Sequence, residues 1–103
     1  MSSPNENLSE KQRKHLKKLA HNLKPVIIVG ANGASEGLLA ELDQTIEHHE
    51  LIKVKVSVGD RDVRDEVIQE LLDASGAELV GRVGNIATLY RARKKNQKIE
   101  LPK

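Results

Sequence analysis

Leu16, Leu19, Ala20 and Leu23 recur at i, i+3, i+4 and i+7, which predicts an amphipathic first helix. Ser9 and Gln12 precede it at capping-box spacing. Lys24-Pro25 is expected to end it, since the residue before a proline is pushed out of the helical region. Val26, Ile27, Ile28 and Val29 are four β-branched residues without alternation, which predicts a strand covered on both faces. Gly30 to Gly33 stops that strand, and Ser35 is the expected N-cap of a second helix. This helix sets Leu38, Leu39, Leu42 and Ile46 on one side, and Glu36, Asp43 and Glu47 on the other. Between Leu51 and Val58 the pattern alternates: Ile52, Val54, Val56 and Val58 point one way, Lys53, Lys55 and Ser57 the other. A third helix carries Val63, Val67, Ile68, Leu71 and Leu72, with Asp62, Asp65, Glu66, Glu70 and Asp73 outside and Gly76 as its stop. Glu78–Val83 and Ile86–Arg91 then flank Gly84-Asn85, a turn pair suited to positive φ, so a hairpin is expected.

The resulting order is α-β-α-β-α-β-β. Crossover connections between parallel strands put successive helices on one sheet face. The fold class is therefore α/β, a two-layer sandwich with a four-stranded mixed sheet. Residues 8–91 are read as a single domain, 1–7 as a flexible N-terminal tail and 92–103 as a basic C-terminal tail. Ile99 and Leu101 give that tail apolar groups with which to dock. The chain has 103 residues, and its 13 Leu, 7 Ile and 9 Val are enough for one modest core. No apolar run approaches the roughly 20 residues of a membrane span. The N-terminus is polar rather than signal-like, and cysteine is absent. These point to a cytoplasmic protein. Tyr90 is the sole aromatic, which excludes the stacking platforms of many single-strand binders.

The formal net charge of +2 conceals a strong division. Residues 1–24 carry +4, residues 25–75 carry −7 and residues 76–103 carry +5. Basic ends around an acidic middle suggest a polyanion partner that meets one surface and is repelled by another. The basic candidates are Arg13, Lys14, Lys17, Lys18 and Lys24 around the first helix, Lys53 and Lys55 on the alternating strand, and Arg91 and Arg93 near the C-terminus. A competing use of the same charges is an adaptor whose acidic helix faces dock a basic protein.

Gly30-Ala31-Asn32-Gly33 lies between a strand and a helix start. Two glycines let a ligand backbone approach closely and expose consecutive N–H groups. Such a GxxG loop grips nucleic-acid backbone in KH domains. No lysine follows at Walker spacing, which argues against a nucleotide P-loop. His48 and His49 are adjacent and point about 100° apart on a helix, so they do not share one ion easily. No serine stands in a nucleophile motif. The expectation is therefore no enzyme, no metal, no cofactor and no small-molecule substrate.

Several stretches resemble one family: Leu19-Ala20-His21, Leu23 to Val26, Val29 to Gly33, His49-Glu50-Leu51-Ile52-Lys53-Val54-Lys55 and Leu89-Tyr90-Arg91. Together they look like the CRM domain (chloroplast RNA splicing and ribosome maturation), in its stand-alone bacterial YhbY-type form. The resemblance spans about residues 8–101. It implies a fold similar to the C-terminal domain of translation initiation factor three. It also implies RNA binding without catalysis, with rRNA in precursors of the large ribosomal subunit as partner. The family's RNA contacts centre on the GxxG loop, which carries over to Gly30, Asn32 and Gly33, with Lys53 and Lys55 nearby. Many members have lysine after the first glycine. Here Ala31 stands there, so contacts at the loop tip fall to backbone N–H groups.

Overall fold

The computed structural model describes residues 8–102. Its elements are α1 (Glu10–Ala20), β1 (Pro25–Val29), α2 (Glu36–His49), β2 (Leu51–Val56), α3 (Arg61–Ser75), β3 (Glu78–Val83) and β4 (Ile86–Tyr90). The order is the expected α-β-α-β-α-β-β; the tail expected over 1–7 lies outside the described residues. The sheet order is β1-β2-β4-β3. β1 and β2 are parallel, and β4 runs antiparallel to both β2 and β3. β2 and β3 thus share a direction, α3 connects them, and β4 returns into the gap.

The main core lies between the sheet and the α2–α3 layer. Ile27, Val29, Ile52, Val54, Val56, Ala87 and Leu89 face Leu42 and Ile46 of α2 and Val67, Ile68, Leu71 and Leu72 of α3. Each fully buried large aliphatic contributes about 1.5–3 kcal/mol. Leu16 and Ala20 of α1 form a second cluster with Leu51, Val80 and Tyr90. Leu51 alternates with Ile52, so α1 packs on the opposite face from α2 and α3. The expectation of a shared face concerns the crossover helices α2 and α3, which do share one. The crossover rule governs helices between parallel strands, and α1 precedes the first strand. The sheet and the α2–α3 layer form the sandwich, and α1 covers part of the far face.

Three local expectations need correction. β1 is an edge strand with one open face: Ile27 and Val29 are buried, while Val26 is 50% and Ile28 65% exposed. α1 packs on β2, β3 and β4 instead of sheltering it. The first helix ends at Ala20, before Lys24-Pro25, because Leu23 donates its N–H to the Ala20 carbonyl (2.9 Å) and the chain turns there. Leu19 and Leu23 consequently stay half-exposed. In the hairpin turn only Gly84 has positive φ (59°), the pattern of a type II′ turn rather than one needing two such residues.

The capping expectations match the structure. Ser9 and Gln12 form the reciprocal capping box, Ser35 accepts from Leu38 N–H, and Gly76 ends α3 with φ 72°. The C-terminal segment is tied to the body by Glu50. Its buried carboxylate accepts N–H groups from Arg93 (2.8 Å), Lys98 (2.7 Å) and Ile99 (2.9 Å). Ile99 and Leu101 pack on the α1 cluster, and Gln12 donates to the Pro102 carbonyl (3.0 Å). Among the described residues no helix is long and apolar enough to cross a membrane.

Candidate nucleic-acid interface

The GxxG loop sits where the parallel strands end. Gly33 donates its N–H to the Gly30 carbonyl (3.0 Å), which closes a tight turn, and Ser35 N–H reaches the Gly33 carbonyl (3.0 Å) to start the capped helix. The two glycines differ physically. Gly33 has φ +59°, a conformation that costs any side chain, and a methyl there would lie 3.8 Å from Val67. Gly30 is outside the left-handed region, and a methyl there meets nothing within 4 Å. Folding therefore explains Gly33, but internal packing does not explain Gly30. Ala31 and Asn32 are exposed at the tip. Ser57 N–H joins the Val29 carbonyl (2.8 Å) and Val56 N–H joins the Asn85 carbonyl (2.7 Å). The GxxG loop, the 57–60 loop and the Gly84-Asn85 turn thus share one end of the sheet.

The basic candidates fall into three places. Lys17, His21 and Lys53 line a groove of about 270 Å3 between α1 and the open sheet face, with Gly81 and Thr88. The Lys17 stem crosses β3 at Gly81, where an added methyl would come within 3.1 Å of its Cε. Lys55 is exposed on the same sheet face, in register with Ile28, which leads towards Gly30. Lys14, Lys18 and Lys24 are exposed on and after α1.

Arg13, Arg91 and Arg93 stand elsewhere. Arg13 donates to the carbonyls of Leu79 and Val80 on the edge strand β3, so it closes that edge. Arg91 is held by Asp43 (2.7 Å), Glu47 (3.1 Å) and the Ser75 carbonyl (2.8 Å). Its guanidinium is committed to α2 rather than presented outward. Arg93 belongs to the segment tied by Glu50, beyond the Tyr90–Leu51 pair. That is the opposite end of β2 from the GxxG loop, six residues and roughly 17–20 Å away. Tyr90 is packed in the α1 cluster, and burial, then the charges of Glu50 and Glu78, push its phenol above the ordinary tyrosine range. It offers no stacking face.

Two features escaped the sequence pattern. Glu50 looks there like one more surface acid at a helix end, and nothing local signals that it will accept three backbone N–H groups from the far terminus. Arg61, Arg64 and Arg82 are hidden by their acidic neighbours in sequence, yet they converge beside the Gly84-Asn85 turn. Asp65 pairs with Arg82, whose hydrogen bond holds that carboxyl below its usual range.

Comparison with known proteins decides the family: the model of the CRS1/YhbY (CRM) domain matches residues 8–91. The chain belongs to the CRS1/YhbY (CRM) domain family. Among its relatives, an RNA-binding protein of Haemophilus influenzae is 45% identical over 96 residues, covering 93% of this chain and 96% of the relative. A protein of Pseudomonas aeruginosa named as a probable RNA-binding protein is 44% identical over 91 residues, 88% of each chain. A solution structure from Staphylococcus aureus, described as a candidate RNA-binding protein, superimposes with a TM-score of 0.78 at 39% identity. It spans 92% of this chain and 99% of that one. The CRM-type topology is thus shared with a solved member. The GxxG turn and the exposed Lys55 lie within the matched residues.

Proposed function

We propose that this CRM protein binds structured RNA through its sugar-phosphate backbone, without catalysis, as a cytoplasmic assembly factor on rRNA of large-subunit precursors. The observation that carries the reading is Gly30: it follows the edge strand β1 beside the exposed Ala31 and Asn32, and the space its missing side chain leaves is open to the outside. An incoming backbone makes use of that space, as a packed fold does not. Relatives covering most of the chain are named for RNA binding, which supports the same choice. Lys17, Lys53 and Lys55 would add salt-dependent attraction, with little reading of bases. The adaptor alternative is weakened because Asp43 and Glu47 are spent on Arg91 and Asp65 on Arg82.

The test compares wild type with Gly30→Asp, which places a carboxylate at the approach without entering the left-handed region. Binding to a structured large-subunit rRNA fragment should fall at least about tenfold, the scale of one lost charge-assisted contact, with an unchanged circular dichroism spectrum. Unchanged binding would remove the loop from the interface. Gradient sedimentation of extract adds the particle: association should vanish after nuclease treatment, and persistence would favour the adaptor.

A further inference from the structure

At the hairpin end of the sheet, on the α3 side, a cavity of about 540 Å3 is lined by Arg61, Arg64, Arg82, Gly84 and Asn85. Three of its five lining residues are arginines and none is a carboxylate. Arg82 is fixed in place: one guanidinium nitrogen pairs with Asp65, and Nε donates to the Gly84 carbonyl (3.2 Å). Its charge is thereby balanced. Arg61 and Arg64 form no salt bridge among the described residues. Arg64 adds a sharper observation. Its Nε is closed off from solvent and has no hydrogen-bond partner among the described residues. A donor withdrawn from water and left without an acceptor is unfavourable, and a turn of the Arg64 side chain toward an anion in the cavity would relieve it. The α3 N-terminus is not the attraction, since Asp60 caps it and Asp62 sits in its first turn.

We propose that this cavity seats a backbone phosphate of the bound RNA, as a second grip separate from the GxxG loop. Guanidinium groups match phosphate oxygens with paired, directed N–H bonds, which lysines do not. The loop follows β1 and the cavity adjoins β3, three strand spacings or about 14 Å across the same end of the sheet. One RNA strand crossing that end would meet both. The inference rests on the RNA-binding reading, and a free phosphate compound would satisfy the same chemistry, so the experiment separates these.

The full chain, Arg61→Gln/Arg64→Gln and Arg64→Lys are titrated with the rRNA fragment at stepped salt, alongside Gly30→Asp. The double variant should bind about tenfold or more weaker. Its log–log salt slope should be shallower by about 0.7 for each lost phosphate contact. Arg64→Lys should keep the slope and still lose affinity, because charge remains while the fork is gone. Arg61 is exposed, so Arg61→Gln alone serves if the double variant fails to fold. In NMR spectra the Arg64 Nε–H signal should move with stoichiometric RNA and stay still with equal inorganic phosphate. Movement with phosphate alone would overturn RNA as the ligand. If Gly30→Asp loses RNA while the folded double variant keeps affinity and slope, the cavity is overturned and the RNA reading stands. Failure of the wild type to bind any RNA overturns both.

Discussion

Gly30 and Gly33 are separated by two residues and by a difference in physical purpose. Alanine at position 33 must adopt φ near +59°, which costs roughly 1–2 kcal/mol for an L side chain. Lower unfolded-state entropy returns only about 0.4–1 kcal/mol. Gly33→Ala is therefore expected to destabilise the protein by about 1 kcal/mol. Gly30→Ala meets open space at an ordinary φ, so the entropy gain stands alone and stability should hold or rise slightly. Urea denaturation of both variants checks this: equal losses would mean that Gly30 also serves the fold. The spacing of the two glycines is visible in the sequence, because Gly punctuation between a strand and a capped helix is a local signal. Their division of labour is not visible, since it depends on the positive φ of Gly33 and on the emptiness around Gly30.

At the scale of elements, the junction of α2 and β2 does more than connect them. Glu50 caps α2 with φ 66°, its own carbonyl accepts Arg91 N–H (2.9 Å), and its carboxylate gathers three N–H groups of the C-terminal segment. Glu50→Ala removes a shared acceptor and leaves donors behind. At about 1–3 kcal/mol for an unsatisfied group, partly relieved by water, a loss of about 2–3 kcal/mol is expected. Hydrogen exchange gives the specific signature: amides of Arg93, Lys98 and Ile99 should exchange faster, while those of β2 and β4 change only with global stability. Equal acceleration everywhere would mean that Glu50 acts through α2 alone. The elements themselves were legible because their signals are local: capping residues, period-2 alternation, and glycine at turns. β1 departs from its expectation because Val26 to Val29 is apolar throughout, and no local pattern distinguishes a strand buried on both faces from an edge strand with Ile28 outside. That distinction depends on which strands α1 covers. Of the candidate site the sequence shows the glycine loop and a list of cations, while the grouping of those cations follows from the sheet order.

For the whole molecule, the meaning of a positive charge depends on what already holds it. The net +2 is divided in sequence, but in three dimensions Arg13, Arg82 and Arg91 are engaged by carbonyls or carboxylates of the protein itself. Lys17, Lys53 and Lys55 have no such partners among the described residues, and all lie on the α1 side of the sheet. The division predicts opposite phenotypes for two changes that both remove positive charge. Lys17→Gln/Lys53→Gln/Lys55→Gln should leave the denaturation midpoint nearly unchanged, because exposed charges contribute little to folding. The same variant should flatten the log–log salt dependence of RNA binding by about 2, or roughly 0.7 per contact. Arg91→Gln should do the reverse. It strips Asp43, Glu47 and the Ser75 carbonyl of a common donor and lowers stability, while the salt slope stays put because this guanidinium faces α2 and not a ligand. Equal slopes for wild type and the lysine variant would show that the sheet face stays clear of the RNA. A slope change in Arg91→Gln would show that the acidic helix releases its arginine when RNA arrives. Measuring both variants in one salt series separates charge that binds from charge that folds.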